Sequence, residues 1–117
     1  MTAPHDLRLL EITDANALNR AIGDAGRPAL ILFDAVWCSP ARRIEERLLR
    51  LLSGQCLELL RVNVDRLPEI AKRFGIHAVP TMALFRSGQL ATTRLGEVGD
   101  RDLLRWLDGE CADALGW

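Results

Sequence analysis

The chain has no tyrosine, one lysine (Lys72) against fourteen arginines, and only three cysteines, Cys38, Cys56 and Cys111. Three is an odd number and the spacing is irregular, so neither a disulfide framework nor a zinc site is indicated. His5 and His77 have no spaced set of cysteines or carboxylates around them, and no metal or cofactor is expected. An excess of charge is missing too: the net charge is −1, which leaves no electrostatic footprint for nucleic acid or an anionic membrane. The arginine bias reads first as coding composition and second as an arginine-based binding surface. The longest apolar runs are a handful of residues, too short for a membrane-spanning helix. Met1 to Asp6 has neither a basic nor an apolar segment, so no signal peptide is expected there. With the odd thiols, this leads to an expected reducing, cytoplasmic setting.

What is present suits a single α/β domain over residues 1–117, with 49% hydrophobic and 26% charged residues and no repeat or linker. Leu7 to Ile12 predicts a first strand, and Thr13-Asp14 a cap for a helix that buries Leu18 and Ile22 at i, i+4 spacing. That helix ends in the turn region from Gly23 to Gly26. The uninterrupted apolar run Ala29 to Phe33 predicts a strand covered on both faces. Ser39-Pro40 reads as N-cap and first turn of a second helix, with Ile44, Leu48, Leu51 and Leu52 as its buried stripe and Gly54 as its end. Cys56 to Val64 predicts a third strand, and Pro68 to Phe74 a short helix with Ile70 and Phe74 turned inward. Thr81 to Phe85 and Leu90 to Leu95 predict a hairpin closed at Gly88. A last helix from Gly99-Asp100 should bury Leu103, Leu104 and Leu107. The order βαβαβ, helix, hairpin, helix implies a parallel half-sheet extended by antiparallel strands, with helices on both faces.

At Trp37-Cys38-Ser39-Pro40 the sequence resembles the thioredoxin family, whose motif reads Trp-Cys-Gly-Pro-Cys. Val62-Asn63-Val64-Asp65, Phe74-Gly75-Ile76, Val79-Pro80-Thr81, Phe85 with Gly88, and Gly96 fall where that family carries matching residues. The resemblance implies a thioredoxin fold, a central mixed sheet flanked by helices on both faces. It implies Cys38 as nucleophile, with Trp37 as an aromatic ledge, Pro80 as the cis-proline and Gly96 as a close-approach glycine. Val79, exposed by the cis bond, would pair with an extended substrate strand, and Thr81 completes that substrate-binding surface. Three residues depart from the pattern. Ala41 replaces the second cysteine and Ser39 the motif glycine. Leu32 stands in place of the family's buried acid, with Asp34 two residues later in an expectedly different environment. Arg61 takes the place of a buried family lysine, and with Leu32 opposite no proton-relay role is expected of it.

A thiolate is the reactive form of cysteine, and a helix N-terminus lowers a thiol's pKa, which favours Cys38 as an accessible nucleophile. Arg42 and Arg43 read as solvated side chains, or as a further positive influence if they fold towards it. In this family a second cysteine resolves the mixed disulfide, a step for which Ala41 has no sulfur. Cys56 lies beyond the far end of the helix, roughly 20 Å away at 1.5 Å per residue. Cys111 falls late in the last helix. Both read as small buried hydrophobes. Two functions remain open. One is a monothiol thiol–disulfide oxidoreductase that forms mixed disulfides with protein or glutathione, in cell redox homeostasis. The other is a redox-inactive binding or adaptor module with a specific protein partner in the groove around Trp37 and Pro80. A monomer is expected, with no nucleic-acid or membrane partner.

Overall fold

The structure, a computed structural model, describes residues 9–23, 28–35, 39–52, 57–96 and 99–106. Five strands form one sheet in the order β1-β3-β2-β4-β5: β1 Leu9–Glu11, β2 Ala29–Asp34, β3 Glu58–Asn63, β4 Thr81–Arg86 and β5 Gln89–Leu95. β1, β3 and β2 run parallel, while β4 is antiparallel to β2 and β5 to β4. This is the mixed sheet expected from the element order.

Helix α1, Ala15–Ile22, begins where Asp14 accepts a 2.7 Å hydrogen bond from the Ala17 N–H, satisfying one of the helix's orphan donors. It buries Leu18 and Ile22, as the periodicity predicts. Helix α2 spans Ser39–Leu51, α3 spans Pro68–Arg73, and residues 100–106 are helical. All six residues of β2 are buried, since helices cover both its faces. Leu30 and Leu32 pack with Leu48 of α2, with Leu52 just past its end and with Leu103 on one face. Ile31 and Phe33 pack with Leu18, Ile22 and Ile70 on the other.

Five details differ from expectation. Ser39 is the first helical residue and not the cap before it. Pro40 fits one place further in because the first four N–H groups of a helix need no intrahelical acceptor. β3 is shorter than Cys56 to Val64. The Asn63 carboxamide oxygen accepts from the Asp65 and Arg66 N–H groups, which turns the chain out of the strand. Leu104 is 38% exposed, not buried. Leu103 faces the core instead, and Trp106, three residues on, shares its side and donates to Thr92 Oγ1 at 3.3 Å. Phe74 follows α3 as its half-buried cap residue, meeting Phe85 edge-on at 5.0 Å. Leu51 is half-buried at the rim of the α2 stripe. Leu7, Gly54, Cys56, Leu107 and Cys111 lie outside the described residues, as does the side chain of Ile44.

The hairpin turns at Ser87-Gly88, both with positive φ (54° and 78°). Two successive left-handed residues match the twist of the flanking strands. Glycine adopts that conformation without the steric cost a Cβ brings.

Candidate functional site

The site assembles at the C-terminal end of β2. From Asp34 the chain continues through buried Ala35 to residues 36–38 and re-enters described structure at Ser39, the first residue of α2. Trp37 and Cys38 lie outside the described residues, as do the side chains of Ser39, Pro40, Ala41 and Arg42; Arg43 is exposed. Sequence places Cys38 immediately before the α2 N-terminus, the positive end of a dipole that continues through thirteen residues. At 1.5 Å per residue the thirteen residues of α2 span about 20 Å. Leu48 and Leu52 anchor the helix to the sheet. The Arg47 guanidinium donates to Asp100 at 2.7 Å, tying α2 to the last helical stretch.

Beside this end of β2, the 78–81 loop leads into β4, whose Thr81 pairs in register with Phe33. The Val79–Pro80 peptide is cis. Pro80 is buried and Val79 half-buried. The Thr81 hydroxyl donates to the Ala78 carbonyl at 2.7 Å, pinning the loop across its turn. Among the described residues, the Val79 N–H and C=O have no hydrogen-bond partner. Gly96 donates its N–H to the Pro80 carbonyl at 2.8 Å, which brings the end of β5 against the loop. Of the four residues expected in the substrate surface, Pro80 and Gly96 are therefore joined by a backbone hydrogen bond, and Thr81 holds the loop that carries Val79. At Gly96 a Cβ would meet nothing within 4 Å among the described residues, and its φ of +82° favours glycine. His77 is exposed, in keeping with a surface histidine. It borders a hollow lined by Val64, Ile76, Ala78 and Val79.

Asp34 departs from its expected setting. It is not in a separate environment: side chains two apart share a sheet face, so it lies on the same face as Leu32. It is 1% exposed and accepts from Arg61 Nε at 2.8 Å (Oδ2) and 3.0 Å (Oδ1). Arg61 pairs in register with Leu32 and reaches along the sheet to its C-terminal end. The hydrogen bond to Asp34 raises the guanidinium's already high pKa; partial burial opposes that rise, and the charges of Asp34, Glu45 and Glu11 add to it. Two-residue alternation and parallel pairing were the available signals.

The family described as Thioredoxin matches residues 9–109. A thioredoxin of Rickettsia bellii is 33% identical over 84 residues, covering 69% of this chain and 79% of its own length. Thioredoxin 1 of Synechococcus elongatus is 31% identical, covering 83% of this chain and 92% of its own. Among solved structures, a point-mutant thioredoxin from Halobacterium salinarum superposes with a TM-score of 0.82 at 24% identity, over 94% of this chain and 96% of that one. The fold is that of thioredoxin. With the family matched over the whole of its described length, the chain belongs to the thioredoxin family of thiol–disulfide oxidoreductases.

Proposed function

We propose that the protein is a monothiol oxidoreductase in which Cys38 forms mixed disulfides and an outside thiol resolves them. What supports this reading is the sequence position of Cys38 between β2 and α2, together with the cis Val79–Pro80 loop beside that end of β2: Phe33 of β2 pairs with Thr81, and Gly96 donates to the Pro80 carbonyl. The Cys38 thiolate attacks one sulfur of a protein disulfide; an S–S bond forms to Cys38, and the other sulfur leaves as a thiolate and takes up a proton. Ala41 supplies no resolving sulfur. A glutathione thiolate attacking Cys38 releases the second substrate thiol and leaves Cys38 joined to glutathione. A second glutathione frees Cys38 and departs as glutathione disulfide, so two outside thiols provide the two electrons. Val79 would pair its backbone groups with an extended substrate segment during attack. Trp37 would cover one side of that segment.

Ala41 and Leu32 favour a second reading, a redox-inactive docking module, because the missing cysteine and the missing acid serve the same half-reaction. Thiol reactivity separates the two. The Cys38 thiol is expected to titrate below the free-cysteine value of about 8.5 and to be the most reactive of the three cysteines. Alkylation rate against pH, resolved for each cysteine by mass spectrometry, measures this. Faster reaction at Cys56 or Cys111 would misplace the site.

A further inference from the structure

β5 ends the sheet: one of its edges pairs with β4, and the other meets no strand among the described residues. The ladder shows which groups that open edge offers. The Gly96 N–H points at β4, since it donates to the Pro80 carbonyl, and backbone groups alternate in direction along an antiparallel strand. Arg94 and Thr92 therefore also turn their backbone groups to β4, whereas Leu95 and Thr93 direct theirs outwards. Side chains follow the same alternation. Leu95 and Thr93 lie opposite Thr81 and Ala83, on the face that packs against α1 and α3. The bulge beside Phe85 brings Leu90 to that face as well. Leu90 and Leu95, 39% and 66% exposed, border a hollow of about 310 Å³ together with Phe74 and Ile76. On the other face, Arg94 lies opposite Met82, and Arg86 stands two residues beyond Leu84. Residues 86–95 hold these two arginines and no acid. Among the described residues neither arginine has an ion-pair partner.

We propose that the open edge of β5 docks an extended segment of a partner protein in which acidic and aliphatic residues alternate. The segment adds a strand to the sheet, its backbone bonding to Thr93 and Leu95. Alternate side chains then divide between the two faces. The aliphatic ones cover Leu90, Leu95 and the hollow under Phe74 and Ile76, while the carboxylates face Arg94 and Arg86. Charge selects this occupant over a second copy of the chain. An antiparallel copy on the same edge would gather four arginines on one face with no acid from either strand, and like charges across a strand pair are destabilising. Docking here uses no sulfur, so it is independent of the role of Cys38.

The test is fluorescence anisotropy of the full chain at low salt with two labelled seven-residue peptides, one alternating Glu and Val and the other Lys and Val. The Glu peptide should bind at least about fivefold more tightly than the Lys peptide, and added salt should weaken it. Arg94→Glu should remove or reverse that preference. Thr93→Pro deletes one outward N–H and no bond to β4, so it should weaken the Glu peptide about fivefold. Amide exchange in the complex should slow at Thr93 and Leu95 and stay unchanged at Leu10, on the opposite edge of the sheet. Equal binding of the two peptides, no binding of either, or protection at β1 in place of β5 would overturn the proposal. So would a native chain that sediments as a dimer and becomes a monomer in Thr93→Pro, which would make a second copy the occupant. Should proline at 93 prevent folding, Arg94→Glu and the exchange measurement carry the test: an unchanged preference for the Glu peptide overturns it.

Discussion

An Ala41→Cys variant is expected to reduce an insulin-type protein disulfide about tenfold faster or more than the native chain, since a resolving thiol on the same molecule has a far higher effective concentration than one in solution. Residue 41 is in the first turn of α2 and three positions beyond Cys38, the spacing at which helical side chains become neighbours. The measurement is turnover with a thioredoxin reductase as electron source and no small thiol added. The gain should stay below that of a dithiol thioredoxin, because Leu32 still occupies the place of the acid. Strong turnover by the native chain under the same conditions would contradict the need for an outside thiol.

Leu48→Ala is expected to cost about 3 kcal/mol of folding stability, the middle of the range for truncating a fully buried leucine. Leu48 has no exposed surface and packs from α2 onto Leu30, Leu32 and Met82 of the sheet. Alanine would leave a cavity under the helix that positions the site, and stability totals only about 5 to 15 kcal/mol in a domain of this kind. Urea unfolding measures the loss. Leu104→Ala, at a position that faces solvent, is the comparison and should fall within about 0.5 kcal/mol of wild type. A Leu48 variant as stable as the Leu104 variant would show that α2 is not anchored there.

Elements with a local cause were readable before the structure. Asp14 caps α1 because its side chain meets an N–H three residues on. The run from Ala29 to Phe33 is buried throughout because both faces of β2 are covered. Gly88 closes the hairpin through its positive φ. Features that depend on which strands become neighbours were harder to read. Asp34 appears isolated in sequence from Arg61, and only the parallel pairing of β2 with β3 brings the two within 2.8 Å. Leu103 and Leu104 are equally apolar, yet helical geometry gives the inward direction to one, and Trp106 continues that side. The groove beside the loop was partly legible: Val79, Pro80, Thr81 and Gly96 were expected together. The exposed apolar pair next to it was not. Leu90 and Leu95 (66% exposed in the latter) line a hollow with Phe74, Ile76 and Thr81, and a β-bulge beside Phe85 interrupts the simple alternation that would have predicted their sides.

The most direct test of a monothiol site is intact-mass analysis after exposing the protein to glutathione disulfide and to a disulfide-linked model peptide. Wild type should acquire one adduct with each, on Cys38, that persists until dithiothreitol is added. Cys38→Ser should acquire none there, and Ala41→Cys should clear the adduct unaided by closing its own disulfide. A wild-type protein that forms no adduct at Cys38, yet binds the peptide equally well with excess dithiothreitol and with Cys38→Ser, would contradict the oxidoreductase and leave the docking module.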